Sequence, residues 1–249
     1  MFDLTGRVAL VTGAGQNVGV GIARMLAAQG AAVAVNDIVP ERAQETVADI
    51  VAAGGRAAGA PFDVTSYDEV VAGVADVTEA LGPVDILVNN AGNGGAAGMR
   101  PEPFREMDPA GWEGPIRVNL YGVLHCSRAV INGMCERGWG RVITISSGAG
   151  TGGVNIGVSP YSAGKGGGIS FTRTLALEVA PTGVTANTIA LGLMGMPDPK
   201  ITARLARAIP VGRTGTPADI GAACVWLASD EASWVTAQTI EINGGSITT

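Results

Sequence analysis

Lysine, histidine, cysteine and aromatic side chains are all scarce here: two lysines, one histidine, three cysteines and 4% aromatics in 249 residues. Cys126, Cys135 and Cys224 are too few and too scattered for a disulfide framework or a metal cluster. Cys126 and Cys135 fall in one helical segment, where packing is the default role. No Cys, His or carboxylate grouping has metal-ligand spacing, so no metal site is expected, and the sole histidine, His125, reads as structural. Charged residues make up only 15% and the net charge is −6, which gives no basic patch of the kind nucleic acid demands. No apolar run approaches the ~18 residues of a bilayer span. The N-terminal M-F-D-L-T-G-R lacks a charged-then-apolar leader, so it does not read as a signal peptide, and the cytoplasm is the expected compartment. Hydrophobic residues at 47% exclude disorder, and one α/β domain over 1–249 is an ordinary size with a substantial core.

Against that scarcity, Tyr161 and Lys165 stand four residues apart in Y-S-A-G-K, with Ser146-Ser147 upstream. Four residues make about one helical turn, so phenol and ammonium project from one face. A neighbouring cation favours the phenolate and lowers a pKa that starts near ~10, giving a general acid/base usable near neutral pH.

The segment R-V-A-L-V-T-G-A-G-Q-N-V-G-V-G-I-A runs from Arg7 to Ala23. Val8 to Val11 reads as a buried parallel strand, and helical spacing resumes at Val18, Ile22, Met25 and Leu26. A glycine-rich turn between them gathers unpaired backbone N–H groups and the positive helix end, which suits a pyrophosphate. A second apolar strand, Ala32 to Val35, ends in Asn36-Asp37, 24 residues past Gly13. A carboxylate there can accept ribose hydroxyls of NAD and repel the 2′-phosphate of NADP. The first basic residue afterwards is Arg42, so NAD is read over NADP. The same carboxylate can also satisfy backbone donors ahead of a helix that Pro40 starts.

Strands are read near 7–12, 32–36, 56–60, 84–88, 141–146, 184–189 and 238–242. Helices are read near 18–29, 40–53, 67–81, 109–137, 160–180, 200–208 and 217–228. This alternation predicts an α/β, doubly wound, seven-stranded parallel sheet with helices on both faces. Glycine-rich stretches at 92–98 and 148–157 follow strand carboxyl ends, where such sheets bind ligands.

These features together resemble the short-chain dehydrogenase/reductase family, in its compact single-domain Rossmann branch, over essentially the whole chain. The resemblance is carried by Thr12–Gly19, Asp63-Val64, N-N-A-G at Asn89–Gly92, Asn119, I-S-S at Ile145–Ser147, Tyr161–Lys165 and the closing I-E-I-N-G-G at Ile240–Gly245. It implies coenzyme contacts at Gly13, Gly15, Asn17, Val18, Gly19, Asp37, Asp63, Val64, Asn90, Ala91, Gly92, Gly192 and Met194. It implies that Ser147 holds the substrate oxygen, Tyr161 exchanges a proton with it, and Lys165 holds the nicotinamide ribose and lowers the phenol pKa. Asn119 would bend its helix and hold a water that completes a proton path. Ser146 would point to the opposite face of the strand from Ser147. Asp63 could accept from the adenine amino group, or form an Asx turn before the helix near Tyr67. Asn89 and Asn90 combine a place in the coenzyme floor with tying neighbouring strands together.

Several positions depart from the family pattern. Asn17 replaces the middle glycine, and asparagine best tolerates left-handed geometry. The Ser147-to-Tyr161 segment is about one residue longer than usual. Leu191-Gly192 stands for P-G, Met196 replaces a frequent threonine, and Ala237 replaces a glycine before the last strand. Residues 193–207 read as a substrate-covering loop and helix, apolar through Leu193, Met194, Met196 and Leu205, although methionine also fills cores. Arg100 and Arg105, in loop 93–105, can meet an anionic group or simply be solvated. The expected activity is NAD-dependent oxidation of a secondary alcohol or reduction of its ketone. Reduction of a 3-oxoacyl thioester, and a non-catalytic coenzyme-binding regulator or assembly protein, are the alternatives. A homo-oligomer, tetramer or dimer, is implied by the resemblance.

Overall fold

A computed structural model of the chain describes residues 1–92, 100–196 and 198–248. Among them, seven strands form one parallel sheet: β1 (Val8–Val11), β2 (Ala32–Val35), β3 (Arg56–Gly59), β4 (Ile86–Asn89), β5 (Gly140–Ser147), β6 (Val184–Leu191) and β7 (Thr239–Ile242). Their order is β3-β2-β1-β4-β5-β6-β7, with every neighbouring pair parallel. The strand order reverses between β1 and β4, which opens a crevice beyond their carboxyl ends. This is the Rossmann-like doubly wound sheet that the alternation predicts.

The helices are α1 (Asn17–Ala28), α2 (Pro40–Ala52), α3 (Tyr67–Leu81), α4 (Glu113–Ile116), α5 (Gly122–Arg137), α6 (Gly148–Thr151), α7 (Ser159–Val179), α8 (Pro199–Ala206) and α9 (Pro217–Ala228). Side chains alternate along each strand, so the sheet has a core on each face. Ala9, Val11, Ile86, Val88, Ile143 and Ile189 pack with α1, α2 and α9. Val8, Leu10, Leu87, Val142 and Ala186 pack with α3, α5 and α7. Burying each large aliphatic side chain contributes about 1.5–3 kcal/mol, so the doubly covered central strands dominate stability. Among the described residues no helix is long and apolar enough to cross a membrane.

The helix expected over 109–137 is broken. A 3-10 turn at Pro109–Gly111 and α4 lead into a π-helical turn at Arg117–Tyr121, and only then does α5 run on. Within that turn, Asn119 Nδ2 donates to the Pro115 carbonyl at 2.8 Å, competing for the acceptor that an i→i−4 backbone bond would use. The helix that α6 forms in the 148–157 stretch is also not expected from the sequence. Of the glycine-rich stretch at 92–98, all but Gly92 lies outside the described residues, as does Pro197 within 193–207.

Two departures from the family pattern adopt the backbone that glycine usually supplies. Asn17 has φ 48° and Ala237 has φ 61°. An alanine in left-handed geometry costs about 1–2 kcal/mol, whereas glycine gives up about 0.4–1 kcal/mol through greater unfolded-chain freedom. Ala237→Gly is therefore expected to raise stability by up to about 1 kcal/mol. A denaturation midpoint at or below the parent's would contradict the strain.

Candidate active site

Three elements converge at the carboxyl end of β5. Ser147 is its last residue and the N-cap of α6, where Oγ accepts the Ala149 N–H at 3.2 Å. Tyr161 and Lys165 lie one turn apart near the start of α7, and Tyr161 shares a side-chain hydrogen bond with Ser147. Lys165 is buried, and its Nζ donates to the Ile145 carbonyl at 2.7 Å. Ser146, by contrast, donates to the Lys165 carbonyl at 3.2 Å, so the adjacent serines do different jobs. Asn119 reaches the same place from the π-helical turn. A methyl group on Gly92 would stand 2.7 Å from Asn119 Oδ1 and 2.8 Å from Lys165 Nζ. Glycine at 92 is what lets the end of β4 pass beneath both groups.

The protonation states differ from the sequence expectation. Burial pushes the Tyr161 phenol above its ordinary value, and the Ser147 hydrogen bond pulls only partly against it. Burial lowers Lys165 from 10.5 to about 8. The lowering of the phenol by Lys165 is thus not what the structure gives. The ammonium is aimed at Ile145 and lies 5.9 Å from the Tyr161 ring centroid, and desolvation outweighs it.

The glycine turn fits a dinucleotide phosphate. Gly13 has φ 60°, and a methyl there would meet Ala91 Cα at 2.8 Å. One on Gly19 would meet the Gly13 carbonyl oxygen at 2.2 Å. Gln16 provides no side-chain cap for α1, so first-turn N–H groups face the crevice without that partner. Asp37 is buried; Oδ2 accepts the Gly15 N–H at 3.2 Å and Oδ1 the Val39 N–H at 3.0 Å. The backbone-satisfying role weighed for this carboxylate is therefore present. Gly192 donates its N–H to Ile242 and abuts Asn243, while Met194 bridges to Gly215.

Other expected residues separate. Asn90 Nδ2 donates to the Thr12 and Gly13 carbonyls, tying β4 to the glycine turn. Asn89 turns away, its Nδ2 donating to Ser127 Oγ on α5. Asp63 Oδ1 accepts the Thr65 N–H at 2.8 Å, the Asx turn considered for it. His125 Nδ1 lies 3.0 Å from the Val64 carbonyl, a structural contact between α5 and that loop. Arg105 pairs with neighbouring Glu106 and stays exposed.

Two residues that the sequence reading left out of the site hold its floor. Thr12 Oγ1 accepts the N–H groups of Asn90 and Ala91. Asn36 Oδ1 accepts the Gly13 N–H, while its Nδ2 donates to the Ala60 and Phe62 carbonyls. Their signal in the sequence is a polar residue set at the carboxyl end of an apolar strand, where backbone groups lose their ladder partners.

A family model described as short chain dehydrogenase matches residues 7–202. The chain is 38% identical to the 3-oxoacyl-[acyl-carrier-protein] reductase FabG of Vibrio cholerae serotype O1, covering 98% of both chains. It is 39% identical to the acetoacetyl-CoA reductase of Shinella zoogloeoides, over 96% of this chain and 98% of that one. The crystal structure of a gluconate 5-dehydrogenase from Burkholderia cenocepacia in complex with NADP and tartrate superimposes with a TM-score of 0.89 at 33% identity. That match covers 98% of this chain and 96% of the other.

The Lys165 shift has a sign that can be measured. Its folded value of about 8 lies below the ordinary 10.5. Between those values the unfolded chain binds more protons, so stability rises with pH; below about 8 both forms are charged and the burial cost is felt in full. Tyr161 acts oppositely once the unfolded phenol ionises near ~10. From pH ~8 to ~10 the parent should therefore gain stability relative to Lys165→Met in denaturant titrations. A pH-independent difference would contradict the buried ammonium.

Proposed function

The chain belongs to the short-chain dehydrogenase family, and we propose that it transfers hydride between NAD(H) and a secondary alcohol or ketone. The observation that carries this reading is the convergence of Ser147, Tyr161, Lys165 and Asn119 over Gly92, beside the glycine turn. A bound nicotinamide would supply or accept the hydride. The chain's own residues handle the oxygen. Ser147 hydrogen-bonds it, and Tyr161 gives it a proton on reduction or takes one back on oxidation. A phenol raised by burial keeps its proton at neutral pH, the form that donates to a carbonyl oxygen. Lys165 uses one of its three N–H donors on Ile145, leaving two for ribose hydroxyls and for charge on the phenolate. Asn119 would hold the water that reloads the proton.

NAD(P) is the coenzyme typical of the family. A carboxylate has about four lone-pair sites, so Asp37 can hold Gly15 and Val39 and still accept a ribose hydroxyl. That supports NAD. Arg42, whose Cβ lies 2.5 Å from a methyl built on Gly15, is the feature that would serve a 2′-phosphate. The pocket reads as mainly apolar. Val154 and Ile156, in the loop after α6, and Leu193 and Met196, after β6, are exposed on segments leaving adjacent strands. Residues 193–207 would cover the substrate, and Thr202 ties that loop to α8 through two hydrogen bonds with the Met196 backbone. A second reading, reduction of a 3-oxoacyl thioester, is favoured by what the names of the two bacterial reductases say of those proteins. We also propose a homodimer or homotetramer built on 109–137, 160–180 and the β7 edge, where Leu177 and Trp234 are exposed.

The test is a spectrophotometric screen of NAD(H) and NADP(H) against alcohols, ketones and 3-oxoacyl thioesters, following reduced nicotinamide. Tight NADH binding without turnover of any of them would favour a regulatory or assembly role instead. Tyr161→Phe should lower kcat by about 10²–10⁴-fold with NADH affinity retained, and equal activity would remove the proposed acid. Asp37→Ala should weaken NAD about tenfold and relax rejection of NADP, whereas an unchanged coenzyme ratio would remove the ribose assignment.

A further inference from the structure

After β7 the backbone turns back over the active-site loop, and Asn243 organises the turn. This side chain is buried; its Oδ1 accepts the Gly245 N–H at 2.9 Å, and its Nδ2 donates to Glu241 Oε2 at 3.2 Å and to the Ile247 carbonyl at 2.9 Å. The Asn243 backbone carbonyl accepts the Ser246 hydroxyl at 2.8 Å. These bonds bring Ile247 back against α6. A methyl group on Gly148 would lie 2.5 Å from Ile247 Cδ1, and one on Gly152 would lie 3.4 Å from Ile247 Cγ2. One isoleucine therefore fills the space against both ends of α6.

The helix α6 has little with which to hold itself in place. It is one turn of G-A-G-T, and an isolated turn of helix is not stable in water. Its other side lies against α7, where a methyl on Gly150 would stand 3.0 Å from Lys165 Cβ and from the Gly166 nitrogen. So α6 sits between Lys165–Gly166 and Ile247. Its Ala149 N–H is the donor that fixes Ser147 Oγ.

We infer that Ile247 is a positioning residue for the reaction: it presses on α6 through Gly148 and Gly152 and so sets the Ser147 hydroxyl. The inference rests on the reading of Ser147 as the group that holds the substrate oxygen. Ile247 touches no reacting atom in this account. It acts through the Ala149 N–H, and a displacement of about 1 Å at such a group can cost up to about 10²-fold in rate.

The test uses Ile247→Ala and Ile247→Val in the full chain. Three readouts are taken: steady-state kinetics on the carbonyl compound that the parent reduces best, NADH affinity by fluorescence, and hydrogen–deuterium exchange at Ala149–Gly152. Ile247→Ala should lower kcat about 10–100-fold, leave NADH affinity unchanged and speed exchange at those amides. Ile247→Val keeps Cγ2 against Gly152 and loses Cδ1 over Gly148, so it should fall between parent and alanine, and it carries the test if the alanine variant does not fold. Parental kcat together with parental exchange in both variants would overturn the inference. A fall in kcat matched by an equal fall in NADH affinity would also overturn it, because the tail would then be holding the coenzyme. If the parent reduces no carbonyl compound, the proposed function fails by itself. Exchange then decides the positioning, faster amides supporting it and unchanged amides refuting it.

Discussion

A lysine ammonium sits almost wholly inside this protein, with 7% of Lys165 exposed; among the described residues it donates to a backbone carbonyl and pairs with no carboxylate. Burying a cation without a carboxylate partner opposes folding, which is why its proton is held less tightly, at about 8. What the arrangement secures is geometry. The bond to Ile145 and the Ser146 bond to the Lys165 carbonyl fasten α7 to β5 from both sides. Tyr161, one turn earlier, is thereby set against Ser147 at the strand's end. Gly92 must remain without a side chain for β4 to pass below, and Asn119 must leave the regular helix to reach the same point. Perturbed groups of this kind cluster where chemistry is done.

The glycine-turn half of the crevice solves a different problem, that of backbone groups left without partners where parallel strands end. Thr12, Asn36 and Asn90 take up those groups between β1, β2 and β4. Asp37 does the same for Gly15 and Val39. Small residues at 13, 15 and 19 then leave the crevice open to a phosphate. The polar floor and the glycine turn therefore depend on each other.

How far the sequence could be read follows from the range of each interaction. V-A-L-V, A-V-A-V and the I-L-V of β4 are buried on both faces and show it as uninterrupted apolar runs. The glycine turn and the Tyr161–Lys165 spacing are equally local, so the sheet and the placing of those two side chains one turn apart could be anticipated. The break before α5 could not, because it turns on which partner the Asn119 amide selects. Asp63 is ambiguous in the sequence for the same reason; its Oδ1 forms an Asx turn with Thr65. The direction of the Tyr161 shift is not legible in the sequence, because spacing conveys proximity to a cation but not depth of burial. The contact of Ile247 with Gly148 joins positions 99 residues apart, and no local pattern announces it.

The central claim is that burial holds the Tyr161 hydroxyl protonated at neutral pH, ready to donate to a carbonyl oxygen. An ultraviolet difference titration of the parent against a variant lacking that phenol reads it directly. The phenolate signal of Tyr161 should emerge only above the ordinary tyrosine range, beyond pH ~10. A signal complete near neutral pH would contradict the account.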